Sequence, residues 1–352
     1  MPTRNKKDAN TAIFSRLDKY CADHDETVLN TGTVRWIESE AGKDRDFLVE
    51  SIMVDSLSFG LSLKIARFDF QNKSLFFTIG FDLPDEIGLL VEEDLGGGVL
   101  TAILSELSPM PSVPASFVKN IVDFSSFSSG AKYSGHEANG IFSLFPSIRC
   151  FSTSDLAEEE TYRIFFLICL ADFGRAKLWM NKRLRGTLEI VAELSPVAIP
   201  YRTLCRSIFD SDPSAVFMAL YRCLEALYAF THTTDLMRKL GVSDGWANVA
   251  QTLEETLGWR PREEPSLTTL LRLAAKNDLR TILISLKVTL PADDADLVVP
   301  TTKRVYQLRN TLVHYRPFHQ EFNRDEVDWN LLCEAMALIV LDVYDSVVVQ
   351  EP

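Results

Sequence analysis

Lys303-Arg304-Val305-Tyr306-Gln307-Leu308-Arg309-Asn310-Thr311-Leu312-Val313-His314-Tyr315-Arg316-Pro317 is the stretch from which the C-terminal half of this chain is read. Val305, Leu308, Leu312 and Tyr315 recur at spacings of three, four and three, the apolar stripe of an amphipathic helix. Proline steers the residue before it out of helical geometry, so Pro317 ends the helix and a span of about 300–315 is predicted. Arg309, Asn310, His314 and Arg316 all lie off the stripe. Asn310 and His314 are four apart and therefore adjacent on the helix surface, where the amide can fix the imidazole's tautomer. Arg309 and His314 lie about 140° apart on an ideal helix. That gap closes only if the helix ends near His314 or if two copies of the chain pool their residues.

Outward from this helix the pattern stays helical. Asp210-Ser211-Asp212-Pro213 fits an N-cap with proline at the first helical position, opening a helix over 213–230. Leu220, Leu224 and Leu227 form its core stripe, and Glu225 shares the next stripe with Phe217, Tyr221 and Tyr228. A carboxylate among rings is costly unless paired. Arg309 and Arg222 are the two candidate partners. His232, on the same face as Glu225, reads as a cap for the helix end. Ser243 opens a helix that Gly258 ends, two short helices fall within 265–290, an acidic loop covers 291–296, and a last helix runs over about 325–349. That last helix carries Leu331, Leu332, Ala335, Leu338, Ile339 and Val343 together with Trp329, Cys333, Met336 and Val340 on other faces. Apolar nearly all round, it is expected to be buried on most sides, with a homodimer through the C-terminal domain covering the surplus.

An arginine, a polar neighbour and a histidine after four intervening residues, as in Arg309-Asn310 and His314, resemble the signature of the HEPN superfamily of helical ribonucleases. The run Leu220-Tyr221-Arg222-Cys223-Leu224-Glu225-Ala226-Leu227 looks like the first core helix of HEPN domains, where an acid often lies near the signature. The order of elements is similar to the family's up-and-down bundle, and the resemblance covers roughly 211–352. It implies a metal-independent endoribonuclease with no cofactor, an active cleft at a dimer interface, and products bearing a 2′,3′-cyclic phosphate and a 5′-hydroxyl. His314 is then the general base or acid, Arg309 stabilises charge on the phosphorane, Asn310 orients His314 or binds a phosphate oxygen, and Glu225 holds Arg309. Lys303, Arg304, Arg316 and His319 are the expected contacts to RNA. The resemblance also implies phage defence or a toxin–antitoxin pair, with an antitoxin or a phage-derived activator as a further partner. A second class stays open: a non-catalytic helical module that dimerises or binds a partner protein, with Arg309 and His314 serving the interface.

The bulk composition limits these readings. The chain has 352 residues, 46% hydrophobic and 24% charged, which fits about two globular domains. The polar start and the shortness of the apolar runs 164–170 and 335–349 predict a soluble, cytoplasmic protein away from membranes. Six cysteines without a close pair exclude a Cys-x-x-Cys motif, and five histidines show no metal-binding spacing. Net charge is −13, which argues against a broad electrostatic grip on nucleic acid. Residues 303–324 nevertheless hold five basic side chains and one acid, and Arg175, Lys177, Lys182, Arg183 and Arg185 form a second basic stretch.

The first half reads differently. A short helix near 12–21 precedes a strand-rich span over 31–82, in which residues 56–65 alternate polar and apolar as one half-buried strand, continued at 68–70. Residues 71–74 turn the chain and 75–81 return as a hairpin partner. Gly96-Gly97-Gly98 lacks the lysine and hydroxyl residue of a phosphate loop and reads as a flexible turn. Residues 105–140 read as irregular connections, His136 has no visible partner, and helices are expected over 154–185 and 201–209. The fold class is therefore α+β: a β-rich sensor or regulatory domain over 1–152, a helical connector over 153–210, and an all-α, HEPN-like bundle over 211–352.

Overall fold

The computed structural model describes residues 4–29, 34–123, 133–154, 156–172, 179–195, 199–290, 296–314 and 324–348. The chain divides into two units, 1–161 with 171–174, and 162–170 with 175–352. The first is built on an antiparallel sheet of five strands and the second is helical, so the fold is α+β. The helical unit begins well before residue 211, because most of the segment expected as a connector belongs to it.

In the first unit β1 (Ile52–Phe59), β2 (Leu63–Phe70) and β3 (Lys73–Ile79) form a meander, followed by β4 (Val91–Glu93) and β5 (Ile148–Ser154) in the order β1-β2-β3-β5-β4. The strand expected over 56–65 is two strands. Phe59 pairs with Leu63 across a turn at Gly60, whose φ of +67° suits glycine, and Leu61 is 82% exposed at the tip. The alternation runs through the turn in phase because the paired residues on either side of it share a face. Gln71 and Asn72, both with positive φ, make the two-residue turn between β2 and β3.

Helices α1 (Lys6–Ala22), α2 (Lys43–Glu50), α3 (Gly97–Leu107), α4 (Ala115–Val122) and α5 (Ala138–Phe142) complete this unit. Ile13, Leu17, Phe47, Leu100, Ile103 and Leu104 pack against Phe68 and Phe77 of the sheet. Much of the span read as irregular is therefore helical. The triple glycine is not a flexible turn: it opens α3, and Asp44 caps it by accepting from Gly98 N at 2.8 Å and Val99 N at 3.0 Å. A Cβ on Gly97 would lie 1.7 Å from the Glu38 carbonyl oxygen, so close packing demands glycine there. Arg67, 1% exposed, pairs with Asp69 and donates to the Leu156 and Ala157 carbonyls and to Thr161 Oγ1.

The second unit comprises residues 162–170 of α6 (Thr161–Ala171), α7 (Lys182–Val191), α8 (Tyr201–Ile208), α9 (Ser214–Glu225), α10 (Phe230–Leu240), α11 (Trp246–Leu257), α12 (Glu263–Leu271), α13 (Lys276–Ser285), α14 (Val298–Val313) and α15 (Trp329–Val348). The single helix expected over 154–185 is thus two, the second capped by Asn181. The helix expected over 213–230 breaks after Glu225, where Leu227 N and Tyr228 N bond three residues back instead of four. Helix α15 is the centre of the unit and packs on α7, α9 and α13. Residues 332–337 are buried without interruption. Most of the apolar surplus that pointed to self-association is buried inside the unit, while Leu331 and Leu338 stay half-buried. All six cysteines are buried and unbridged. Among the described residues no helix is long and apolar enough to cross a membrane.

Candidate functional site

Helix α14 ends at Val313, and His314 is its C-cap. The His314 backbone is extended, with φ −109° and ψ 120°, and its N–H donates to the Asn310 carbonyl at 2.9 Å. His314 thus closes the helix instead of continuing it, which eases the ideal-helix separation of about 140°. The imidazole leaves from a residue outside the helix and is exposed.

Arg309, five residues earlier, is mostly buried, with a side chain 16% exposed. Its Nη2 donates to Glu225 Oε1 at 3.1 Å and to Glu263 Oε1 at 3.4 Å. Its Nη1 donates to Asn310 Oδ1 at 3.0 Å. Glu225, at the end of α9, thus pairs with Arg309. Asn310 turns its amide oxygen to the guanidinium, which leaves its NH₂ as the group available to a phosphate oxygen or to the imidazole. Burial works against the guanidinium's charge, but Glu263 and Glu225 outweigh it and hold the group above its ordinary value. Its face lies 5.8 Å from the centre of the Tyr221 ring, within cation–π range. The Tyr228 hydroxyl donates to that of Tyr221 at 2.9 Å, and burial pushes the Tyr221 hydroxyl up to about 12. Both phenols stay protonated at neutral pH, so the aromatic floor under Arg309 carries no charge.

Glu263 escaped the sequence reading. Arg262-Glu263-Glu264-Pro265 reads only as acids in the first turn of a helix, and no spacing ties it to a residue 46 positions on. Lys303 is exposed, while Arg304 is half-buried with Nη1 3.4 Å from Gln307 Oε1. On the helix they lie about 120° and 140° from Arg309, so neither joins its cluster. Arg316 and His319 lie outside the described residues. His232 falls in the first turn of α10 and meets the Trp259 ring edge-on at 6.0 Å, so it does not cap the helix that carries Glu225. In the second basic stretch Arg183 is paired with Glu334 at 2.7 Å and Arg185 with Glu189 at 3.1 Å. Those charges are internally balanced, and Arg175 and Lys177 lie outside the described residues.

No family model matches the chain, and no curated protein or solved structure shows significant similarity to it.

Proposed function

We propose that the C-terminal unit is a HEPN-like, metal-independent endoribonuclease, acting in the cytoplasm as a homodimer. The observation that supports this reading is the end of α14: an exposed His314 just outside the helix, five residues past an arginine oriented by Glu225 and Asn310. In the proposed reaction one His314 takes the proton of a 2′-hydroxyl, and the freed oxygen attacks the adjacent phosphorus. Arg309 stabilises the negative charge that builds on the phosphorane oxygens. The bond to the 5′-oxygen then breaks, and that oxygen leaves with a proton from the His314 of the second copy. The products are a 2′,3′-cyclic phosphate and a 5′-hydroxyl. The need for both a base and an acid is the reason to pair two copies. Such cleavage suits phage defence or a toxin–antitoxin pair, with the first unit as the sensor and an antitoxin or phage-derived activator as its input.

The test uses end-labelled RNA in EDTA. Wild type is expected to cut, leaving cyclic-phosphate ends, and His314→Ala to lose at least about 100-fold while its circular dichroism and sedimentation are unchanged. Arg309→Ala would leave Glu225 and Glu263 to repel one another, so it is made together with Glu225→Gln. Equal cleavage by wild type and His314→Ala would end the proposal. One observation favours the second reading, a non-catalytic association module: two carboxylates around one guanidinium leave the cluster net negative, which repels phosphate. Intact RNA with wild type at high concentration, together with a dimer lost in the Arg309→Ala/Glu225→Gln double variant, would select that module.

A further inference from the structure

The first unit contains a half-open cavity of about 250 Å³ between α1 and the chain that follows α3, walled by Ile13, Leu17, Tyr20, Leu104, Met110 and Phe145. Arg16 also lines it. The other sheltered arginines of this unit each carry a carboxylate: Arg4 has Glu106, Arg35 has Asp18, Arg67 has Asp69 and Arg149 has Glu92. Arg16 has none among the described residues, and its Nη2 donates only to the Leu104 carbonyl. Burial pulls this guanidinium below its ordinary value, the mark of a charge without compensation. The rim is otherwise neutral, because Lys19 and Asp23 pair with one another at 2.7 Å.

A half-buried cation facing apolar walls is satisfied by an anion that brings its own apolar body. We propose that this cavity binds a small amphipathic carboxylate, its acid group on Arg16 and its hydrocarbon between α1 and the Leu104–Phe145 wall. One guanidinium matches one negative charge, whereas a phosphate dianion would need further donors. The volume lies below the range that takes drug-sized ligands, so the body is of the order of eight to ten heavy atoms. The site is independent of the nuclease reading. It would give the first unit a small-molecule input whatever the second unit does.

Octanoate, with 1-octanol as its uncharged counterpart, tests the site by calorimetric titration of the full chain. Octanoate is expected to bind saturably, one per chain, at least about tenfold tighter than 1-octanol, because a charge-assisted contact is added to the same burial. Arg16→Gln is expected to erase that preference without lowering the melting temperature of the unliganded protein. Met110→Trp, at a position 50% exposed beside the opening, is expected to weaken both ligands by filling the mouth. The proposal is overturned if octanoate and phenylacetate both fail to saturate, if acid and alcohol bind alike, or if the preference survives Arg16→Gln. Should Arg16→Gln not fold, the acid–alcohol comparison on wild type and the Met110→Trp block decide.

Discussion

The guanidinium of Arg309 reaches Glu225 at 3.1 Å and Glu263 at 3.4 Å through the same nitrogen, while its Nε, sealed from solvent, has no partner among the described residues. The two acids differ in shelter: the side chain of Glu225 is 29% exposed and that of Glu263 is 42% exposed. A largely exposed pair is worth about 0–1 kcal/mol, whereas stripping a partner from a mostly buried charge costs about 1–3 kcal/mol. Glu225→Gln is therefore expected to destabilise the helical unit by about 1–2 kcal/mol, and Glu263→Gln by less than about 0.5 kcal/mol. Urea midpoints of the two variants check the ranking, and the reverse order would make Glu263 the anchor. Under the proposed chemistry Glu263 is also the acid a phosphate must displace. Removing its charge should tighten RNA binding in a His314→Ala background, where no cleavage interferes.

Glycine has opposite meanings in two helices. At Gly97 in α3 an added Cβ would meet the Glu38 carbonyl oxygen at 1.7 Å, and at Gly98 the Asp44 carbonyl oxygen at 2.2 Å, while Gly186 in α7 has nothing within 4 Å. Gly97→Ala should cost about 2–3 kcal/mol through overpacking. Gly186→Ala should gain about 0.5–1 kcal/mol by restricting the unfolded chain. Thermal melts moving in opposite directions check both. The same pair explains what could be read in advance. Composition reports that a glycine is present, but crowding by a carbonyl distant in sequence leaves no local trace, so α3 passed for a loop. Its apolar run is buried on nearly every side and lacks the period that exposed α14 through Val305 and Leu308. The β1–β2 turn was hidden because Leu57, Phe59, Leu63 and Ile65 keep their alternation across it. By contrast, Pro317 is a local steric signal, and it placed the end of α14 within two residues. At the site, an acid among rings pointed to a cationic partner for Glu225, whereas Glu263 reaches Arg309 only through the packing of α12 on α14.

At the scale of the whole molecule, acid should weaken the fold before its carboxylates titrate. The chain carries a net charge of −13, so the first protons it takes up relieve repulsion and on that ground alone should stabilise it. His136 works the other way. It is 3% exposed in the first unit, beside the rings of Phe14 and Tyr133. Burial, and then the nearby Arg35 guanidinium, hold its imidazole down to about 4, against weaker opposing pulls from the Ile121 backbone and Glu38. In the unfolded chain the same group titrates near 6.5. Between these values the unfolded state binds the proton and the folded state does not, so the contribution is complete above about pH 6.5 and is lost as pH falls towards 4. Its upper bound is about 3 kcal/mol. Glu92 and Glu93 are held below the carboxylate range, first by their hydrogen bonds to Arg149 and Lys73 respectively. Their contribution is present above about pH 4.3 and disappears only below it, and Asp278, raised by burial and then by Asp342 and Glu334, favours the folded state as pH falls, so the loss between 6.5 and 4.5 belongs to the histidine. Melting temperatures of the full chain across that window should fall for wild type and hold level or rise for His136→Phe, which keeps a ring between Phe14 and Tyr133. A wild-type profile that parallels that of His136→Phe down to pH 4.5 would mean that the imidazole is protonated in place, with Glu38 as its counter-charge.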